Sequence, residues 1–314
     1  MSEQRTLASV PNDSKGRVTR RERFLSEMDA VIPWARLRAL ILPHYAVAGR
    51  GRRPMPLDTM LRVYFLQQWF DLSDPQAEDM LYDSESMRRF ARVELGEDTV
   101  PDESTILRFR HLLKQHHLTV QIFEAVRTLL TEQRLLLKAG TIVDATIIAA
   151  PSSTKNATKT RDPAMKQTRK GQQWYFGMKV HVGPDTRGVV RSLTTADAAQ
   201  ADITQLPHLL TGDESNLYGD NAYDKQDHQA HWQAGGGRYR VNKSGKRTTR
   251  TDAHNAARSR VRARCEHVFH VVKRVWGFTT VRYRGLVKNT VRVFAAFALA
   301  NLYLVRKRLV PHGT

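Results

Sequence analysis

The chain has 314 residues, 41% of them hydrophobic, which is enough for one large domain or two modest ones. Its 50 Lys/Arg outweigh 31 Asp/Glu, for a net charge of +19 and a pI near 10.4, a balance that disfavours cationic partners and points to a polyanion, nucleic acid first. One cysteine, Cys265, excludes an internal disulfide and a Cys-type zinc site, and no apolar run reaches membrane-span length, so the sequence predicts a cytoplasmic protein with no membrane span.

The charge is concentrated in one half. Residues 1–140 hold 21 Lys/Arg against 19 Asp/Glu, a balance of +2, whereas residues 141–314 hold 29 against 12, a balance of +17. Residues 1–20 read as a disordered basic tail. Arg17, Arg20, Arg21 and Arg23 either touch phosphates or solvate the start of the first helix.

Residues 21–138 read as an all-helical domain. Helical periodicity appears over Phe24–Ala30 and again after Pro33. A breaker at Arg52–Pro56 precedes a helix with Leu57, Met60, Leu61, Tyr64, Phe65, Gln68 and Trp69 at helical spacing. Ser73 with Gln76 has capping-box spacing, Asp102 is placed to cap a helix running to about His116, and residues 119–136 form one more. The segments 73–92 and 102–116 have helix-turn-helix lengths, which would put Arg108, Arg110 and His111 on a recognition helix; helix packing or dimerisation is the alternative.

The character changes at Gly140. Gly140–Ile148 (GTIVDATII) is an apolar, β-branched run with one carboxylate, Asp144, at its centre, and reads as a buried central strand. An ionised Asp there needs a partner, either backbone amides or a divalent cation. Residues 151–173 carry Lys155, Lys159, Arg161, Lys166, Arg169 and Lys170 against Asp162 alone, and read as a long mobile loop suited to a DNA backbone or as a solvated linker.

Strands are predicted at Trp174–Val182 and Val189–Thr194, a helix at 202–210 with Asp202 as its cap, and a short strand ending in Asp220. Asn221–Gln233 reads as helical and Tyr239–Val241 as a further strand. Ser244–Thr248 lacks the glycine and the hydroxyl residue that a phosphate loop needs. Residues 253–275 are predicted to form one long helix. Val261, Cys265, Val268, Val272 and Val275 would be its core stripe, with Arg262, Glu266, His270 and Lys273 on a second face. A last helix is expected over 289–308.

From residue 253 onward Glu266 is the only acidic residue. By itself it could pair with Arg262 one turn earlier. Together with Asp144 and Asp220, from two other elements, it makes a set of three carboxylates in a basic half. Such a set repels itself unless a cation neutralises it, and its oxygen donors suit Mg²⁺ or Mn²⁺. Asp213 and Asp224 read as turn residues, and His181 and His270 as packing residues.

The order strand Asp, two strands, helix, strand Asp, long helix with Glu is the layout of an RNase H-like nuclease core. With Leu57–Asp83, Val100–Leu113, Gly140–Asn156, Gln173–His181, Tyr218–Tyr223 (YGDNAY), Arg262–Lys273, Arg282–Asn289 and Phe297–Tyr303, the chain resembles a DDE transposase of the IS5 group in the IS4-like insertion-sequence superfamily. The superfamily's Arg-x3-Glu-x6-Lys signature falls on Arg262, Glu266 and Lys273; the Tyr that often precedes it is Ser259 here. Only 45 residues separate Asp220 from Glu266, too few for the large inserted β-domain of some relatives.

The resemblance implies an α/β fold, an RNase H-like mixed-sheet catalytic core over 139–314 behind the helical N-terminal domain. It implies catalysis and metal binding by Asp144, Asp220 and Glu266, with two Mg²⁺ or Mn²⁺ ions per site. It also implies DNA contacts from Arg262 and Lys273, to which the basic surface adds Arg108, Arg110, Lys155, Lys166 and Lys170. The partners would be the element's terminal inverted repeats and target DNA, bound by a homodimer or larger homo-oligomer in a bacterial nucleoid. A stand-alone nuclease or a silent DNA-binding regulator are the competing readings.

Overall fold

The computed structural model describes residues 17–46, 53–137, 140–155, 159–243 and 249–310. Most of the expected basic tail and the Ser244–Thr248 segment lie outside the described residues. The chain divides into two compact units, residues 1–116 with 306–314, and residues 117–305. The second unit thus begins well ahead of the change of character at Gly140.

The first unit is helical: α1 (Arg20–Val31), α2 (Trp34–Ile41), α3 (Leu57–Trp69), α4 (Asp74–Asp83), α5 (Glu85–Ala91) and α6 (Glu103–Gln115). Thr19 and Glu22 form a capping box at α1, Ser73 and Gln76 form the expected one at α4, and Asp102 caps α6 through Thr105 N. The 73–92 segment is two helices meeting at Ser84, which ends α4 and begins α5. Nearly every residue of α3 is buried, including Arg62. Its guanidinium stacks on Trp34 (4.0 Å) and Phe90 (5.0 Å), donates to Phe90 O at 3.0 Å, and pairs with Asp29 at 2.7 Å. A buried arginine is tolerated because rings and oxygens replace its water.

The second unit holds α7 (Leu118–Glu132) and a mixed sheet of β1 (Thr141–Ile142), β2 (Asp144–Ala149), β3 (Lys166–Lys170), β4 (Gln173–Pro184), β5 (Val190–Asp197), β6 (Asn216–Gly219) and β7 (Arg238–Val241). β1 runs parallel to β6, and β6 parallel to β7. β2 and β5 are both antiparallel to β4. Only Val143 separates β1 from β2, and its amide donates to Tyr218 O at 2.7 Å, so the two are one path through the middle of the sheet. The order is therefore β5, β4, β2 continuing β1, β6, β7.

Helices cover this sheet: α8 (Leu206–Leu209), α9 (Gln226–Ala234), α10 (Thr249–Arg262), α11 (Cys265–His270) and α12 (Leu286–Leu309). One core cluster joins Val143, Ile203, Leu206, Leu209, Leu217, Tyr223, Tyr239 and Val241. On α12, buried Asn301 exchanges two 2.8 Å bonds with the backbone of Val190, closing hydrogen-bonding groups on strand β5.

Two elements differ from expectation. The segment 151–173 is not all loop: Lys166–Lys170 pairs with Gln173–Gly177 as a hairpin, turning at Gly171 with φ +61°. Both faces of β3 are largely exposed, so no apolar alternation marks it in the sequence. The helix 253–275 is broken. Amide bonds from Arg264, Glu266 and His267 reach back three residues to Val261, Ala263 and Arg264, tightening the chain between α10 and α11, and Val271–Val275 is a wide π-turn. The extra residue in that turn rotates Val275 out of the core stripe, where it is 49% exposed, and buries Trp276 instead.

Candidate active site

The parallel register pairs Thr141 with Leu217 and Ile142 with Tyr218. Carried on two residues, it sets Asp144 beside Asp220, on strand paths about 4.8 Å apart. Asp144 opens β2, its side chain 17% exposed, with Oδ1 accepting from Ala145 N at 2.8 Å and Oδ2 lying 3.8 Å from Arg262 Nε. Burial lifts its carboxyl to about 6; the Ala145 amide and Arg262 pull it down, and Asp220 and Glu266 push it up. Asp220 follows β6 and caps a 3₁₀ turn, accepting from Ala222 N at 2.9 Å.

Glu266 is exposed at the start of α11, just past the break, while Cys265, Val268 and Phe269 are buried. Cys265 is a packing residue, its thiol pushed up by burial. Arg262 ends α10 and leans on Asp144. Lys273 donates to Thr146 Oγ1 at 3.1 Å and to Ile147 O at 3.0 Å, fastening the π-turn to β2. Its ammonium is held below the ordinary lysine range, first by burial and then by the charges of Lys170 and Arg274.

The remaining predicted contacts are scattered. Arg108 is exposed and folds back on Ser104 of its own helix. Arg110 is engaged by Asp74 in a two-pronged pair, 12% and 14% exposed, that ties α6 to α4. Lys155, Lys166 and Lys170 are exposed. Asp202 is no helix cap: Ala201 holds that position, and Asp202 accepts from Lys179 Nζ at 2.8 Å. Its Oδ1 also lies 3.8 Å from Nδ1 of His181, which is fully buried with both ring nitrogens unpartnered among the described residues.

Tyr223, which closes the YGDNAY segment but has no role assigned from sequence, is a site neighbour. Its buried hydroxyl is pushed far up, first by burial and then by Asp202, Asp144 and Asp220. An aromatic three residues after Asp220 was the available signal.

The donors fit a hard divalent ion. Asp144 is buried beside the like charges of Asp220 and Glu266, and the three offer carboxylate oxygens. Among the described residues no three His, Cys, Asp or Glu side chains form a ready-made cage. Two carboxylates are side by side on the sheet, and Glu266 approaches from the helix.

Residues 12–112 match the family described as Transposase domain (DUF772), and residues 136–302 match the Transposase DDE domain. The second match spans more than half of the chain, and the chain belongs to the DDE transposases. Membership makes DNA its partner and its catalysis dependent on a divalent metal. No solved structure matches the chain. No helix among the described residues is long and apolar enough to cross a membrane.

Proposed function

We propose that this transposase, of the IS5 group, cuts DNA at the ends of its insertion sequence and joins the freed 3′-OH ends to target DNA. The observation that carries this reading is the parallel register that sets Asp144 beside Asp220, with Arg262 and Glu266 brought to the same edge by α10 and α11. The strand order, three antiparallel strands followed by two parallel to the first, supports an RNase H-like core.

Asp144, Asp220 and Glu266 would hold two Mg²⁺ or Mn²⁺ ions. Bound there, the ions supply a Lewis acid for the attacking and the leaving oxygen of a phosphodiester. The protein's own work is placement. β2 carries Asp144 and Asp220 follows β6, the burial of Asp144 limits the screening of its charge by water, and Arg262 presents a guanidinium next to Asp144 where a phosphate would lie. Lys273 acts as a positioning residue, holding the helix to β2 through Thr146 and Ile147.

Residues 21–138 would supply end recognition, with Arg108 exposed for it and Arg110 committed to Asp74. Two ends call for a homodimer or larger assembly. The test is cleavage of DNA bordering the gene by Asp220→Asn and Glu266→Gln proteins in Mg²⁺. Loss of cutting with retained DNA binding is expected. Wild-type cutting by either variant removes that residue from the site.

A further inference from the structure

The pairing of β4 changes along its length. From Gly177 to Val182 it is paired with β2, and β5 joins from Met178 on; Gln173–Phe176 lies beyond both registers and pairs with β3, with Ala150 N also donating to Phe176 O at 2.7 Å. Lys166–Lys170 and Gln173–Phe176 therefore form a two-stranded ribbon projecting from the sheet. Gly177 marks its root, because a Cβ there would come within 2.1 Å of Ile148 O. A lone two-stranded ribbon is marginal in water, and this one leaves Trp174 64% exposed. That is a costly place for tryptophan unless something covers it.

The register pairs Arg169 with Trp174 and Gln167 with Phe176, so these four share one face. Arg161 lies over the Phe176 ring at 5.5 Å. Lys166 and Lys170 stand on the other face. From residue 163 to 177 the sequence has no Asp or Glu. The carboxylate that precedes this stretch in sequence, Asp162, is occupied by Ala164 N at 3.0 Å and Gly285 N at 2.6 Å. Val182, the partner of Asp144, is an even number of residues from Trp174, which puts Trp174 on the strand face that carries Asp144.

We propose that the β3–β4 ribbon is an arm that enters a groove of duplex DNA beside the scissile phosphate, with Arg169 and Trp174 as its contact pair. The inference rests on the transposase reading and adds to it a second, non-catalytic contact. Charge complementarity commits the occupant to DNA, and a two-stranded ribbon fits the major groove. Eight residues of β4, at most about 26 Å, separate Val182 from Trp174, so the contact falls no more than about eight base pairs from the cut.

The test uses the full chain and a mixed-sequence duplex of about 30 base pairs, with the matching single strand as a second probe. Trp174→Ala and Arg169→Ala should each weaken duplex binding about tenfold. Arg169→Ala should also lower the salt slope by about one, and Trp174→Phe should retain most of the affinity. Both residues are exposed, so the thermal melts of the variants should match wild type. If Trp174→Ala harms single-strand binding more than duplex binding, the groove assignment is overturned. If both alanine variants bind duplex like wild type while Mg²⁺-dependent cutting still requires Asp220, the arm is overturned and the transposase reading stands. Failure of wild type to bind duplex overturns both.

Discussion

Asp144→Asn should strengthen the metal-free fold and end the chemistry, a combination that separates a working carboxylate from a structural one. Burial holds the Asp144 carboxyl at about 6 against an ordinary 3.8. A raised acid binds its proton more tightly in the folded chain between those two values. Stability from this group is therefore greatest below 3.8, falls as pH rises through the window, and the full penalty is present above 6. At neutral pH the ionised carboxylate costs the metal-free fold about 3 kcal/mol. Asparagine keeps an acceptor for Ala145 N and removes the charge; the attraction of Arg262, 3.8 Å away, is already contained in that balance. A gain of about 3 kcal/mol is expected.

The assay is urea unfolding at neutral pH, first in chelator and then in excess magnesium. In chelator the variant should unfold at higher urea than wild type. In magnesium, wild type should gain stability and the variant should not. A variant that is no more stable than wild type in chelator would refute the burial-cost argument, and one that still cuts DNA would refute the assignment of Asp144.

Lys273→Met keeps the aliphatic stem and loses the bonds to Thr146 and Ile147; a loss of about 2 kcal/mol in stability and slower cutting with unchanged DNA affinity is expected, whereas a selective drop in affinity would restore a phosphate-contact role. Arg110→Ala leaves Asp74 half-paired and buried, and should cost the helical unit about 3 kcal/mol in denaturant unfolding; equal stability with weaker DNA binding would reverse its assignment as structural. His181 is held neutral at about 4 by burial, against 6.5 in the unfolded chain, with Asp202 pulling it up and Lys179 pushing it down. Its contribution is intact above 6.5 and is lost as pH falls toward 4, so about 2 kcal/mol should disappear between pH 7 and 5, and His181→Gln should flatten that slope.

Much of this arrangement was legible in the sequence because it is written in local patterns. The capping box at Ser73, the cap at Asp102, the buried run around Asp144 and the strand leading to Asp220 each need only a few adjacent residues. What escaped is non-local. β3 is a strand through its pairing with β4 and not through any pattern of its own. A period of 3.6 residues continues across Ala263 and Arg264, so nothing in composition shows the chain tightening there or widening again at Val271–Val275. Arg110 looked like a DNA contact because its partner, Asp74, is distant in sequence.

The break between α10 and α11 bears directly on the candidate site. On an unbroken helix Arg262, Glu266 and Lys273 would leave along nearly one line and serve one role. Here they fall on three differently wound segments. Arg262 closes α10 and leans on Asp144; Glu266 starts α11 beyond the tightened turn; Lys273 lies in the π-turn and is bonded to β2. Three anchors to the same strand path, at Asp144, Thr146 and Ile147, come from residues either side of the exposed Glu266. Asp144 is set by its pairing with Val182, Asp220 by the end of β6 and the turn it caps, and the glutamate by a helix held at both ends. That division suits a site in which two carboxylates are fixed in place and the third is delivered to them.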